Sequence, residues 1–190
     1  MPMSHVILLG DSIFDNARYV PGGPAVIDHL RRCLPADGRA ALLARDGAIA
    51  ADVLRQLDHL PADATHLIVS AGGNDALSSS MVLHEDAGSV AEALTHLADL
   101  HDDFQRAYRA MLAAVVAAGK PTAVCTVYDA IPSLTRIERT ALCIFNDIIL
   151  REAFRVGAAV LDLRLICFTL MISRSSTHRS PQAQKHRASS

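Results

Sequence analysis

Apolar residues fall along the chain in two alternating patterns. One is a set of short uninterrupted runs: His5–Leu9 (HVILL), Ala40–Ala44 (AALLA), His66–Ser70 (HLIVS), Thr122–Thr126 (TAVCT) and Ala158–Leu161 (AAVL). Each gives way to a small or polar residue, as a strand buried on both faces does. The other pattern is helical spacing. Val26, Ile27, Leu30 and Leu34 predict a helix over Pro24–Leu34, led in by the turn Gly22-Gly23-Pro24. Val90, Leu94, Leu97, Phe104, Tyr108, Met111, Leu112 and Val115 predict a long one over Val90–Ala118, stopped by Gly119-Lys120-Pro121. A third is expected over Leu134–Phe154, with Gly157 as its stop. Parallel strands need crossover helices, so the alternation predicts an α/β fold: three layers, α/β/α, on a five-stranded and mostly parallel sheet.

The 190 residues are 51% hydrophobic and 20% charged, enough for one buried core and too apolar for a disordered chain. Eighteen Lys and Arg stand against twenty Asp and Glu, a net charge of -2, so no bulk basic field collects nucleic acid or anionic lipid. The longest uncharged apolar stretch, Ala110–Ala118, falls far short of the roughly 18 residues that indicate a membrane span. No basic segment precedes the first apolar run, so no secretory signal is expected and the chain reads as cytoplasmic. Cys33, Cys125, Cys143 and Cys167 form no zinc-ligand spacing and have apolar neighbours; they read as reduced core thiols. His96, Asp99, His101, Asp102 and Asp103 read as a solvated helix face, because His96 and His101 point about 140° apart. No metal is expected. The charge is also unevenly placed: the first 170 residues hold fourteen basic and all twenty acidic residues, and the last twenty add four basic ones. From Phe168 onward there is no glycine, no acid and no apolar period. Residues 1–167 therefore read as the folded domain and 168–190 as a basic, serine-rich tail, poorly ordered or frame-shifted near Cys167.

In open α/β sheets ligands bind beyond the C-terminal ends of the strands, so the residues after each run carry the candidate chemistry. Ser12 follows the first strand at the start of a helical turn, where backbone N–H groups lack intrahelical partners. It can serve as nucleophile and oxyanion donor, or only cap the turn. Arg45-Asp46-Gly47-Ala48 follows the second strand. Gly72-Gly73-Asn74-Asp75 follows the third; its glycines permit close backbone approach, and the Asn amide can aim donors at a developing oxyanion, or the segment is a loop with Asx-turn bonding. The first loop lacks the glycine-rich nucleotide fingerprints, and no nucleotide cofactor or other cofactor is expected. The G-x-S-x-G elbow of the α/β-hydrolases is absent too.

Gly10-Asp11-Ser12 after the first strand, Gly47 after the second and Gly72-x-Asn74-Asp75 after the third, in that order, resemble the SGNH or GDSL hydrolases. The similarity covers about residues 5 to 167. It implies a flavodoxin-like sheet order, Ser12 as nucleophile, and an oxyanion hole of the Ser12 and Gly47 N–H groups with the Asn74 side chain. Asp46 stands where the family often has Asn. The family's last signature, an Asp-x-x-His that supplies the general base, is missing: no such tetrad follows Asp129, Asp162 has Leu165 three residues on, and His178 has Ser175 three before it. His178 is the candidate base by position. The implied activity is hydrolysis of a small-molecule acyl ester or thioester through an acyl-Ser12 intermediate. The alternative is an SGNH-fold binding protein that has lost its base. The sequence leaves the oligomeric state open.

Overall fold

The computed structural model describes residues 3–166. The expectations placed on Cys167, on the 168–190 tail and on His178 lie outside the described residues.

All five predicted strands form: β1 (His5–Gly10), β2 (Arg39–Leu42), β3 (His66–Ser70), β4 (Thr122–Cys125) and β5 (Ala159–Leu161). They make one sheet in the order β2-β1-β3-β4-β5, and every pairing is parallel. Helices carry each crossover: α1 (Val26–Cys33), α2 (Val53–Leu57), α3 (Gly73–Ser78) with α4 (Val90–Ala117), and α5 (Arg136–Val156). The two-residue alternation of the inner strand β1 sorts them into layers. Ile7 and Leu9 pack with Val53 of α2, with Met111 and Leu112 of α4 and with Ile148 of α5. Val6 and Leu8 turn the other way, toward Ala25 and Ile27 at the start of α1.

Local chemistry sets the helix ends. Ser89 caps α4 by accepting the Glu92 N–H at 3.1 Å. At α5, Thr135 accepts the Glu138 N–H at 3.2 Å while the Glu138 carboxylate accepts the Thr135 N–H at 2.7 Å. That capping box starts the helix at Arg136, two residues later than the apolar spacing predicts. Gly157 ends it, as expected. Helices α2 and α3 have only five and six residues, too few for a repeat to show in the sequence. Asp99, Asp102 and Asp103 are exposed along α4, as a solvated face requires.

One expectation is corrected. Cys125 is a core thiol, but Cys33 and Cys143 are exposed. Apolar neighbours in sequence do not imply burial on a helix, where adjacent residues point about 100° apart.

Candidate active site

After β1 the chain turns to α1 on one face of the sheet, and after β3 it turns to α3 and α4 on the other. Neighbouring strands whose continuations part in this way leave a crevice at their C-terminal ends. A cavity of about 580 Å3 opens there, lined at the strand ends by Asp11, Ser12, Asn16, Ser70, Gly73 and Asn74.

Gly10 and Ser70 approach so closely at the crevice that only glycine fits. With φ at +117°, Gly10 holds its backbone where a Cβ would stand 1.7 Å from the Ser70 carbonyl oxygen. The Asp11 N–H donates to that oxygen at 3.0 Å. On the other side of Gly10 the buried Gln56 amide acts as a strand substitute: Gly10 N–H donates to Gln56 Oε1 at 2.7 Å, and Gln56 Nε2 donates to the Gly10 carbonyl at 2.8 Å.

Ser12 then sits in a single helical turn, in which the Phe14 and Asp15 N–H groups donate to the Asp11 carbonyl at 3.2 and 3.1 Å. The Ser12 N–H has no hydrogen-bond partner among the described residues. Asn74 is in the first turn of α3, and its Nδ2 donates to the Ala48 carbonyl at 2.9 Å, leaving its second amide hydrogen over. Next to it, the Asp75 carboxylate accepts the Ala50 N–H at 3.0 Å. These two bonds fasten the loop after β2, which carries Gly47, to the loop after β3. The Gly47 N–H also lacks a partner among the described residues. Gly47 itself is exposed and borders an adjoining depression with Arg45 and His59, while its neighbour Asp46 lines the main cavity. Ser12, Asn74 and the Gly47 loop are thus brought together, with Gly47 at the margin.

Asp46 does more than stand in for the family's Asn. Its carboxylate accepts Arg18 Nη1 at 2.6 Å and the Tyr19 hydroxyl at 3.0 Å, and its N–H donates to Asp15 at 3.0 Å. The loops after β1 and β2 are joined through it, and the bond to Asp46 raises the Tyr19 hydroxyl above its ordinary range.

Deeper in, the electrostatics are one-sided. Burial pushes Asp11 up to about 6, against the hydrogen bonds it accepts from the Ile13 N–H and the Ser70 hydroxyl. Burial raises Asp75 as well, partly offset by the Ala50 N–H. Neither has an ion-pair partner among the described residues. Asp162 is the opposite case: Arg164 holds it down to about 2, assisted by the Thr126 hydroxyl. Both its oxygens are engaged, which fits a strand-end residue. No histidine lines the cavity among the described residues.

Sequence reading missed Gln56, the Asp46 clamp with Arg18 and Tyr19, and Asn146, whose amide bonds both the N–H and the carbonyl of Val127 beyond β4. Gln56 left no visible signal, because α2 is too short to show in the sequence which of its faces is buried. The clamp joins residues 27 and 28 positions apart and left none.

A serine-bearing turn and an amide-bearing turn meet at the switch point of a 2-1-3-4-5 sheet, and the comparisons with known proteins give the family. The sequence profile of the GDSL-like lipase/acylhydrolase family matches residues 8–185, and the chain belongs to that family. No curated protein matches the sequence. Among solved structures, esterase EstA from Pseudoalteromonas sp. is 18% identical with a TM-score of 0.58, covering 94% of this chain and 85% of that one. Phospholipase A1 from Streptomyces albidoflavus is 19% identical with a TM-score of 0.61, covering 86% and 80%. The acetylxylan esterase Axe2 from Geobacillus stearothermophilus is 13% identical with a TM-score of 0.61, covering 91% and 83%. At these identities the likeness is one of fold. Family membership supports ester hydrolysis in general and small-molecule esters as substrates. No helix among the described residues is long and apolar enough to cross a membrane.

Proposed function

We propose that this chain hydrolyses carboxylic esters through an acyl intermediate on Ser12. The observation that carries this reading is that Ser12 and Asn74 line one cavity, with Asn74 tied through Ala48 to the loop of Gly47. Ser12 Oγ attacks the acyl carbon and the carbonyl π electrons move onto oxygen. The unpartnered Ser12 and Gly47 N–H groups and the second Asn74 amide hydrogen receive that oxyanion. Collapse expels the alcohol, which takes up the Ser12 proton by way of the base, and water then releases the acid. We assign the base to His178 by its position in the chain, downstream of the last strand.

Replacing Ser12 by Ala tests the reading. Turnover of p-nitrophenyl acetate should fall by on the order of 10⁴ or more, with the unfolding temperature unchanged. EstA is described as inhibited by monoethylphosphonate, which recommends a fluorophosphonate probe: Ser12 should be labelled in the wild-type chain. Equal turnover by the variant overturns the assignment of Ser12. A folded chain that takes no label is instead a binding protein on this fold.

A further inference from the structure

The Gly47 N–H belongs to the peptide that starts at Asp46, so it moves with Asp46. The turn around it is closed by the Ala48 N–H, which donates to the Arg45 carbonyl at 3.1 Å, and Gly47 completes it with φ at +82°. A positive φ at the third of four turn residues is the type II geometry that glycine serves best. Packing does not hold Gly47 in place: it is exposed, and a Cβ built on it would have no described atom within 4 Å. Its position is set by hydrogen bonds on either side. Beyond it, Asn74 Nδ2 holds the Ala48 carbonyl at 2.9 Å. Before it, three bonds meet at Asp46. The Asp46 N–H donates to Asp15 Oδ2 at 3.0 Å, and Asp15 closes the turn of Ser12 by donating its own N–H to the Asp11 carbonyl at 3.1 Å. The Asp46 carboxylate accepts Arg18 Nη1 at 2.6 Å on one oxygen and the Tyr19 hydroxyl at 3.0 Å on the other. Both donors come from one 3-10 turn, Ala17–Tyr19, with the Arg18 guanidinium 5.3 Å from the centre of the Tyr19 ring.

We propose that Arg18 and Tyr19, acting through Asp46, are positioning residues for the oxyanion hole: they hold the Gly47 N–H at its distance from the Ser12 N–H. The oxyanion half of the statement rests on the reading of Ser12; the holding of the loop does not. The Asp15 bond fixes the loop at one point, about which it can still pivot, and the two side-chain ties remove that freedom. Hydrogen bonds to a carboxylate are the strong ones. Asp46 also raises the Tyr19 hydroxyl above its ordinary range, which keeps it protonated and so a donor. The cost of a pivot is set by the chemistry, because misplacing a group by about 1 Å can cost about 10² in rate. The bound ester asks little of the Gly47 N–H, since the charge that it receives develops only in the tetrahedral intermediate. The loss therefore falls on kcat and spares KM.

The test measures kcat and KM for p-nitrophenyl acetate in Asp46→Ala, in the double variant Arg18→Ala with Tyr19→Phe, and in the three changes combined. Arg18 and Tyr19 are exposed, so the double variant should melt with the wild-type chain. Asp46→Ala and the double variant should each lower kcat at least about tenfold, short of the 10² to 10³ of a donor lost outright, with KM changed by less than about twofold. Combining all three changes should lower kcat no further than Asp46→Ala does, because residues that act through one partner are not additive. A double variant that keeps the wild-type kcat, or that raises KM alone, overturns the inference and leaves Ser12 as the nucleophile. A further loss of kcat in the combined variant also overturns it, since Tyr19, which lines the cavity, would then act on the ester directly. If the wild-type chain turns over no ester, the reading of Ser12 fails, and 15N relaxation of the Gly47 amide decides the clamp. An order parameter of about 0.85 in the wild-type chain that drops below about 0.6 in the double variant supports it, and equal values overturn it.

Discussion

The two ends of the β1–β3 seam handle charge in opposite ways. Where the strands begin, His5 Nδ1 lies 3.0 Å from Asp63, Arg39 pairs with the same carboxylate, and the Thr65 hydroxyl bridges the His5 N–H and carbonyl at 2.7 and 3.1 Å. The His5 hydrogen bond, with Arg39 beside it, holds Asp63 below the usual carboxylate range. Where the strands finish, Asp11 and Asp75 are sunk into the protein without an ion-pair partner among the described residues, and burial pushes both up. Selection for stability alone would pair these carboxylates as it pairs Asp63. At the end where the cavity opens they are left without an ion-pair partner among the described residues, an arrangement that fits a site needing space and low polarity.

The sharpest way to break the contrast is at Gly10. Its Cβ position lies 1.7 Å from a backbone oxygen of β3, and neither backbone can yield without parting the strands. The positive φ adds strain to the clash. Gly10→Ala should cost more than about 4 kcal/mol, beyond the range of ordinary substitutions. The expected outcome is a chain with no cooperative thermal transition by circular dichroism; a normal melt would show that the seam can open at its cavity end.

A smaller effect separates chemistry from scaffold. Asn74→Ala removes the Nδ2 bond to Ala48 and with it the spare amide hydrogen facing the cavity. Loss of one oxyanion donor typically lowers kcat by about 10² to 10³, whereas one hydrogen bond contributes about 1 kcal/mol to folding. Stopped assays on an ester substrate should therefore show kcat falling by that factor with KM little changed and only a few degrees lost in the melt. A large loss of stability with kcat preserved would make Asn74 a fastener of the two loops and nothing more.

How much of this was legible beforehand depends on the range of the interaction. The five strands follow from short uninterrupted apolar runs and the long helices from period-3.6 spacing, both written locally, and with them the places of Ser12, Gly47 and Asn74 just after successive strands. Gln56 and Asn146 were beyond such reading because each pairs with backbone 46 and 19 residues away, respectively, and an amide looks the same in sequence whether it faces water or a peptide group. The exposed Cys33 and Cys143 went wrong for a related reason, since hydrophobic neighbours along a helix lie on other faces of it. The raised Asp11 could not be foreseen either: the GDS tripeptide names the residue, but only the fold, which buries its carboxyl at the end of β1, supplies the shift.

The finest test of the contrast is its dependence on pH. The Asp11 carboxyl has an ordinary value of 3.8 and titrates at about 6 in the folded chain. Between those values the folded chain keeps a proton that the unfolded chain has lost. The stability tied to this group is therefore complete below about pH 4, falls as the pH rises through about 6, and is level above. A difference of that size corresponds to at most about 3 kcal/mol. Asn at this position keeps an Oδ1 to accept both the Ile13 N–H and the Ser70 hydroxyl, which now reach Asp11 Oδ1 at 3.0 and 3.2 Å, and carries no charge. Asp11→Asn should therefore be more stable than the wild-type chain by about 1 to 3 kcal/mol at pH 7.5 and nearly equal to it at about pH 3, as read from urea unfolding. Asp63→Asn should behave in the opposite sense, because a lowered carboxylate contributes stability above its unfolded value and loses it as the pH falls; that variant should be the less stable of the pair at pH 7.5. If Asp11→Asn instead loses stability at pH 7.5, its ionised form is compensated by groups the burial argument overlooks, and the two ends of the seam are alike in kind.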